Sequence, residues 1–414
     1  MKSMEKNETP WIVPKKWSIS RHCFEPQVRA GYQIPERVIV HDATLRDGEQ
    51  TPGVAFRKEE KLKIAHALEE AGVPRIEGGW VAVYPEDVEA LRTMVKEIKN
   101  SEIACALRAR KEEIDLALQC NIHRAIIGGM GSDEHIKALW GSRENAVEQI
   151  VKVVRYASDN GMKISFFLQD GSRADLDFLR YFIIPVVMEG KAESVVIADT
   201  YGCTYPAALA WLVARVKEMV NVPVEIHCHN VWGLATASTL AAISAGAEVM
   251  HTCVNGLGGN AALDECVLGA EAFLGVKTGI RTEHFRRLSS MVKELSGADW
   301  YKPFVGSLTS QVEVGGATQT MWAKRNDPGM GRDDRLNYEI VGGNPASATD
   351  VVLGKKSGKY SIMIKVWQFG LLMPSKEQIS EILKQVKCIS EEKKRWLTDD
   401  EFKKVYSDVT GTVV

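Results

Sequence analysis

Two short stretches of this chain concentrate side chains that can do chemistry. The first, His41 to Phe56 (HDATLRDGEQTPGVAF), sets Asp42, Arg46, Asp47, Glu49 and Gln50 around a glycine, directly after a run that reads as a buried strand. The second, Glu225 to Asn230 (EIHCHN), carries His227 and His229 two residues apart. In a strand, residues i and i+2 share a face, so the two imidazoles point the same way and make half of a metal site. Asp47, and Asn260 in a glycine-rich turn, are the candidates to complete it. Two nitrogens and a carboxylate with open positions suit a divalent cation used as a Lewis acid. Arg46, beside Asp47, fits a guanidinium that stabilises a developing oxyanion; its alternative is a rim salt bridge. An isolated His-x-His pair is often one buried hydrogen-bonding histidine beside an incidental one, and the company of Asp47 and Asn260 is what favours an ion.

These groups are far apart in sequence, so a fold must bring them together. Short β-rich runs recur at 37–44, 75–79, 103–107, 124–128, 163–168, 194–198, 224–229 and 248–254. Each is followed by apolar residues at helical spacing, as in FRKEEKLKIAHALEEAGV and GLATASTLAAISAGAE. Strand–helix alternation implies an α/β protein with a parallel sheet. Eight repeats fit a (β/α)8 TIM barrel over residues 37–276, with an open doubly wound sheet as the alternative. Residues 1–36 read as an N-terminal arm, and 277–414 as a mainly helical C-terminal subdomain region.

In such a barrel the C-terminal ends of the strands build the functional face, and polar residues crowd those ends here. Thr200 and Arg108 are candidates for a substrate carboxylate, or else a cap and a surface charge. Trp80, Tyr84 and His135 are candidate pocket walls, or else packing. VNGLGGNAALDE, residues 254–265, either cradles a phosphate or closes the barrel.

Composition narrows the partners. The formal net charge is −2 with 26% charged residues, which gives no reason to expect nucleic acid or an anionic membrane. No apolar run approaches the roughly 20 residues needed to span a bilayer. The eight cysteines are scattered without a zinc-ribbon spacing. A cytoplasmic chain with reduced thiols is expected.

Six segments in order, DATLRDGEQTPG, EGGWVAVYPEDVEAL, ADTYGCTYP, HCHNVWGLATASTLAAISAGA, VNGLGGNAALDE and VVLGKKSG, resemble the DRE-TIM metallolyases. The nearest branch is similar to the 2-isopropylmalate, homocitrate and citramalate synthases. The resemblance implies a metal-dependent barrel with smaller C-terminal subdomains, usually a homodimer, that condenses an acyl-CoA with a 2-oxo acid. It assigns the oxyanion arginine to Arg46, the metal ligands to Asp47, His227 and His229, and a near-metal group to Asn260. It gives the oxo-acid carboxylate to Thr200, a positioning role to Gln50, and a tyrosine that reaches toward an active site to Tyr338. The ion it implies is Mg2+, Mn2+, Zn2+ or Co2+.

The chain departs from that pattern in places. The synthases carry Gly-Glu-Arg-Ala-Gly-Asn where this chain has Gly258-Gly259-Asn260, and no histidine follows His284. Ala317 stands near the expected subdomain histidine, leaving Glu313 or Tyr338 to take the proton from the acyl-CoA. Gln169 replaces a carboxylate, and Asn230-Val231 replaces Asn-Asp. A lyase or aldolase of the same superfamily, to which GLGG is a closer match, is therefore the alternative activity. The length after residue 277 leads us to expect no separate regulatory domain.

Overall fold

The structure is a computed structural model that describes residues 10–51, 54–82, 85–297, 311–313, 318–319, 321–322, 325, 340, 342, 350–354, 357–393 and 395–412. Eight parallel strands close a barrel: β1 Ile39–Asp42, β2 Arg75–Trp80, β3 Glu102–Leu107, β4 Arg124–Met130, β5 Lys163–Gln169, β6 Ser194–Asp199, β7 Val224–Cys228 and β8 Val249–Thr252. They follow one another around the barrel, and β8 returns to β1 with Val249 opposite Ile39 and His251 opposite His41. The expected (β/α)8 architecture with a helical C-terminal region is what the chain adopts.

Eight helices follow the strands in turn: α1 Lys58–Glu70, α2 Pro85–Glu97, α3 Lys111–Gln119, α4 Arg143–Asp159, α5 Leu176–Met188, α6 Pro206–Lys217, α7 Ala235–Ser244 and α8 Leu263–Gly269. An extra short helix, Asp133–Trp140, lies between β4 and α4. Strands covered by helices outside and by core inside lose contact with water on both faces, which is why they read as near-continuous apolar runs. Every residue of β6 and β7 is buried. Helix starts are fixed by side-chain caps: Asp175 accepts from the Phe178 N–H at 2.8 Å and Ser142 from Asn145 at 3.2 Å.

One irregularity matters for the site. Between β2 and β3 the register slips, so that Glu77 opposes Ala104 while Trp80 opposes Ala106. A bulge of this kind re-aims the side chains around it. Gly78 permits it, because a Cβ there would lie 2.8 Å from both Leu91 and Met94.

Two compact units are distinguished. One holds the barrel and, beyond it, helix α9 Phe285–Ser296. The other holds the antiparallel pair Ile12–Val13 with Trp17–Ser18 and the described C-terminal residues. There Gln311–Val312 pairs in parallel with Asp350–Val351, and α10 Lys359–Gln368, α11 Lys376–Lys393 and α12 Asp399–Thr410 bury Ile362, Ile382, Val386, Phe402 and Tyr406.

Asp42, the last residue of β1, is fully buried; one oxygen accepts from the Thr44 N–H at 3.0 Å and the other has no hydrogen-bond partner among the described residues. Burial pushes its carboxyl up to about 7. A raised carboxyl favours the protonated fold. Its contribution to stability is therefore whole below the unfolded value near 3.8 and is lost as pH rises through about 7. Asp42→Asn, neutral at every pH, removes that loss. Its melting temperature is expected to gain a few degrees on wild type between pH 5 and pH 8.5, since ~1 kcal/mol moves a domain of this order by about 2–4 °C. Parallel melting curves for the two metal-free proteins across that range would refute it.

Candidate metal centre

The loop after β1 delivers Arg46 and Asp47 to the barrel mouth, and the end of β7 delivers His227 and His229. Asp47 and His227 are buried and His229 is partly exposed. The Nε2 atoms of the two histidines are 3.1 Å apart. Asp47 Oδ2 lies 3.6 Å from His227 Nε2 and 3.4 Å from His229 Nε2. Tetrahedral zinc ligands, at about 2.0–2.2 Å from the ion, are separated from one another by about 3.3–3.6 Å. The two edges from Asp47 match that spacing and the His227–His229 edge is slightly shorter, so the three donor atoms lie close to the separations a shared ion would require.

Protonation agrees with that geometry. Burial lowers the His227 imidazole to about 4, so its ring is neutral and carries a lone pair at neutral pH. Burial would raise Asp47, but the Arg46 guanidinium and both histidines outweigh it and hold the carboxyl well below its usual range. Asn260 donates Nδ2–H to Asp47 Oδ2 at 2.8 Å and to the Leu257 carbonyl at 3.0 Å. Gly258, at φ +74°, lets the turn close this tightly, because a Cβ there would stand 2.6 Å from the Asp47 carbonyl oxygen.

Arg46 is buried between two carboxylates, donating from Nε to Glu77 Oε1 at 2.7 Å and from Nη1 to Asp47 Oδ1. Burial opposes its charge, yet Asp47 and Glu77 together hold the guanidinium above its ordinary pKa. The salt-bridge and oxyanion readings of Arg46 are thus compatible, since the two bridges fix its plane. Glu49 has a structural use: it pairs with buried Lys61 at 2.6 Å and accepts from the Phe56 N–H at 2.8 Å, tying down the loop.

A second histidine–carboxylate group, His41, His251 and Glu225, lies in the barrel interior, and its ligand atoms also fall within 4.8 Å of one another. It does not suit an ion. His41 and His251 are face-stacked, with centroids 4.2 Å apart and planes 17° apart. Parallel rings cannot both aim an in-plane lone pair at one point. Arg75 Nη1 also occupies Glu225, at 3.1 and 3.2 Å.

Arg46, Gln50 and Arg108 border one cleft of about 510 Å3, with Val54, Ala55, Phe56 and Trp80 as its apolar wall. Gln50 is exposed on the turn Gly48–Gln50. Arg108 is held by Glu113, which takes its backbone N–H at 2.8 Å and its Nε–H, leaving the terminal nitrogens without a partner among the described residues. Thr200 lies at the end of β6 and does not line that cleft; its hydroxyl oxygen accepts from the Asp170 N–H at 2.8 Å. Glu313 is half-buried in the C-terminal unit, after the strand Gln311–Val312. The His135 side chain, Tyr84 and Tyr338 lie outside the described residues. The roles of Glu77, His41, His251 and Arg75 were missed by sequence reasoning. Phase was the available signal: Glu225, His227 and His229 occupy i, i+2 and i+4, so Glu225 had to face the barrel interior too.

The chain belongs to the HMGL-like family, whose model matches residues 37–292. It is 35% identical to a homocitrate synthase of Methanopyrus kandleri over 91% of this chain and 93% of that one. It is 33% identical to a 2-isopropylmalate synthase of Methanocaldococcus jannaschii over 91% of this chain and 73% of that one. Among solved structures, the HMG-CoA lyase of Bacillus subtilis superposes with a TM-score of 0.59 at 19% identity, covering 66% of this chain and 98% of that one, a likeness of fold. Among the described residues no helix is long and apolar enough to cross a membrane.

Proposed function

We propose that this chain catalyses the condensation of an acyl-CoA, acetyl-CoA first among them, with a 2-oxo acid to give a 2-hydroxy di- or tricarboxylic acid. The observation that carries the reading is the convergence of Asp47, His227 and His229 beside Arg46 at the barrel mouth. Relatives named as homocitrate, citramalate and 2-isopropylmalate synthases, at 33–35% identity over most of the chain, support it.

Asp47, His227 and His229, with Asn260 alongside, would hold a divalent ion, which would supply Lewis acidity at the barrel mouth. Mg2+, Mn2+, Zn2+ and Co2+ are the candidates. Arg46 offers its guanidinium to the oxygen on which negative charge develops. Gln50 and Arg108 orient the substrate in the cleft, Thr200 takes its carboxylate, and His135 lines the pocket. A base removes a proton from the carbon next to the thioester. That carbon bonds to the carbonyl carbon, and water cleaves the thioester to release free CoA thiol. Glu313 and Tyr338 are the proposed proton acceptors, and the enzyme works as a homodimer.

The test is a screen of 2-oxo acids against acyl-CoAs with thiol release as readout, the metal removed and restored. Metal-dependent release is expected. A pyruvate-like fragment formed without thiol release would move the chain to the lyase branch, whose GLGG turn it shares. The base is tested by solvent-deuterium exchange into the acyl-CoA methyl group. Glu313→Gln is expected to slow exchange more than Tyr338→Phe, by roughly 10²-fold, the lower end of what a general base contributes. Undiminished exchange in both variants would put the base in the barrel.

A further inference from the structure

The His41–His251 stack lies in the barrel interior and has no part in the chemistry above. The two rings meet because β8 and β1 pair in register at these residues. Each ring is tied through Nε2 to a different carboxylate, His41 to Glu77 Oε2 at 3.4 Å and His251 to Glu225 Oε2 at 2.7 Å. A carboxylate only accepts, so the proton on each of these contacts belongs to the imidazole. Glu225 is itself anchored by Arg75 and by the Ser165 hydroxyl at 2.9 Å. A continuous polar column thus runs from Arg75 through Glu225, His251, His41 and Glu77 to Arg46, buried throughout.

The consequence lies at Glu77. The terminal torsion of a glutamate is broad, so one hydrogen bond does not fix its carboxylate plane. With His41 on Oε2 and Arg46 Nε on Oε1, each oxygen has its own donor and the plane is set. Arg46 then has one orientation, with Nη1 on Asp47 and the guanidinium lining the cleft. Without the His41 donor, Glu77 is free to turn toward Arg46 with both oxygens and rotate the guanidinium away. We propose that His41, backed by His251, is a positioning residue that orients Arg46 through Glu77. The catalytic consequence rests on the condensation proposed above; the orientation of Arg46 does not.

The test compares His41→Phe, which keeps an aromatic ring on His251 but loses the donor, with His41→Gln, which restores a donor. The first readout needs no turnover. The Nε–H signal of Arg46 in 1H–15N spectra, assigned by its loss in Arg46→Lys, is expected to exchange with solvent at least 10-fold faster in His41→Phe and to recover in His41→Gln. Zinc or manganese content should stay at one ion per chain in all three proteins. In the condensation assay, kcat of His41→Phe is expected to fall at least 10-fold with KM for the 2-oxo acid within twofold, and to fall no further when added to Arg46→Lys. An unchanged Arg46 signal in His41→Phe would overturn the proposal, as would a glutamine variant no better than phenylalanine. So would a second equivalent of metal lost on substituting His41. If no pair of acyl-CoA and 2-oxo acid turns over, the condensation reading fails, while the Arg46 signal still decides the positioning role.

Discussion

Replacing His229 by alanine is expected to strip the chain of its divalent ion and of metal-dependent turnover while leaving the barrel folded. Asp47, His227 and His229 set three donor atoms 3.1, 3.4 and 3.6 Å apart, and removing one leaves two donors. Changing a residue that merely orients a ligand costs about 10–100-fold in metal affinity, so loss of a ligand itself should exceed roughly 10²-fold. His229 is the cleanest choice because it is partly exposed. His227 packs between Phe167 and His251, with ring centroids 5.1 and 5.4 Å away, so His227→Ala also opens a cavity. Asp47→Ala should lose the ion too, and it removes a partner of Arg46. The measurement is metal content after dialysis, with thermal unfolding as the control for folding. Wild-type metal content in His229→Ala, or full activity in a chelated wild-type preparation, would remove this centre from the mechanism.

Much of this was legible from local pattern. VEIHC lies within the run read from sequence and SVVIAD outruns its own by one residue, because a strand buried on both faces leaves an apolar signature too short for a helix. Arg46, Asp47, His227 and His229 were legible because acid, base and imidazole at the ends of strands have little structural reason to be there. What connects them was not. Glu77 and His41 read as strand residues, and their importance depends on which strand neighbours which, a property that sequence periodicity does not carry. The pairing of β8 with β1 joins residues 210 positions apart and is what stacks His251 on His41. The bulge in β2 is likewise a register event, visible beforehand only as two adjacent glycines.

The charges around Gly48 show the same division. Five polar side chains there serve different purposes, and only their partners tell them apart. Asp42 ends a strand, Glu49 neutralises Lys61, and Gln50 faces the cleft, whereas Arg46 and Asp47 pair with each other beside His227 and His229. Arg108 reads from sequence as either a carboxylate contact or a surface charge; Glu113 fixes its backbone N–H and Nε, and its terminal nitrogens have no partner among the described residues.

Arg46→Lys is expected to lose roughly 10²–10³-fold in kcat, the range seen when one oxyanion donor is removed, with KM for the 2-oxo acid little changed. The guanidinium makes two directed contacts at once, Nε to Glu77 and Nη1 to Asp47, and still presents an edge to the cleft. An ammonium is a single point charge on a flexible stem and cannot hold that planar arrangement. Whichever carboxylate it approaches, the other is left buried without its partner. Glu77 is the more exposed to this loss, because burial pushes its carboxyl up and the Arg46 charge is the largest influence holding it down to about 2. A stabilisation realised only as charge develops affects kcat and kcat/KM together, whereas loss of ground-state binding raises KM alone. Steady-state kinetics of the folded variant at saturating acyl-CoA distinguish the two. A lysine variant that kept the wild-type kcat would exclude Arg46 from charge stabilisation, and a pure KM effect would reassign it to binding the 2-oxo acid.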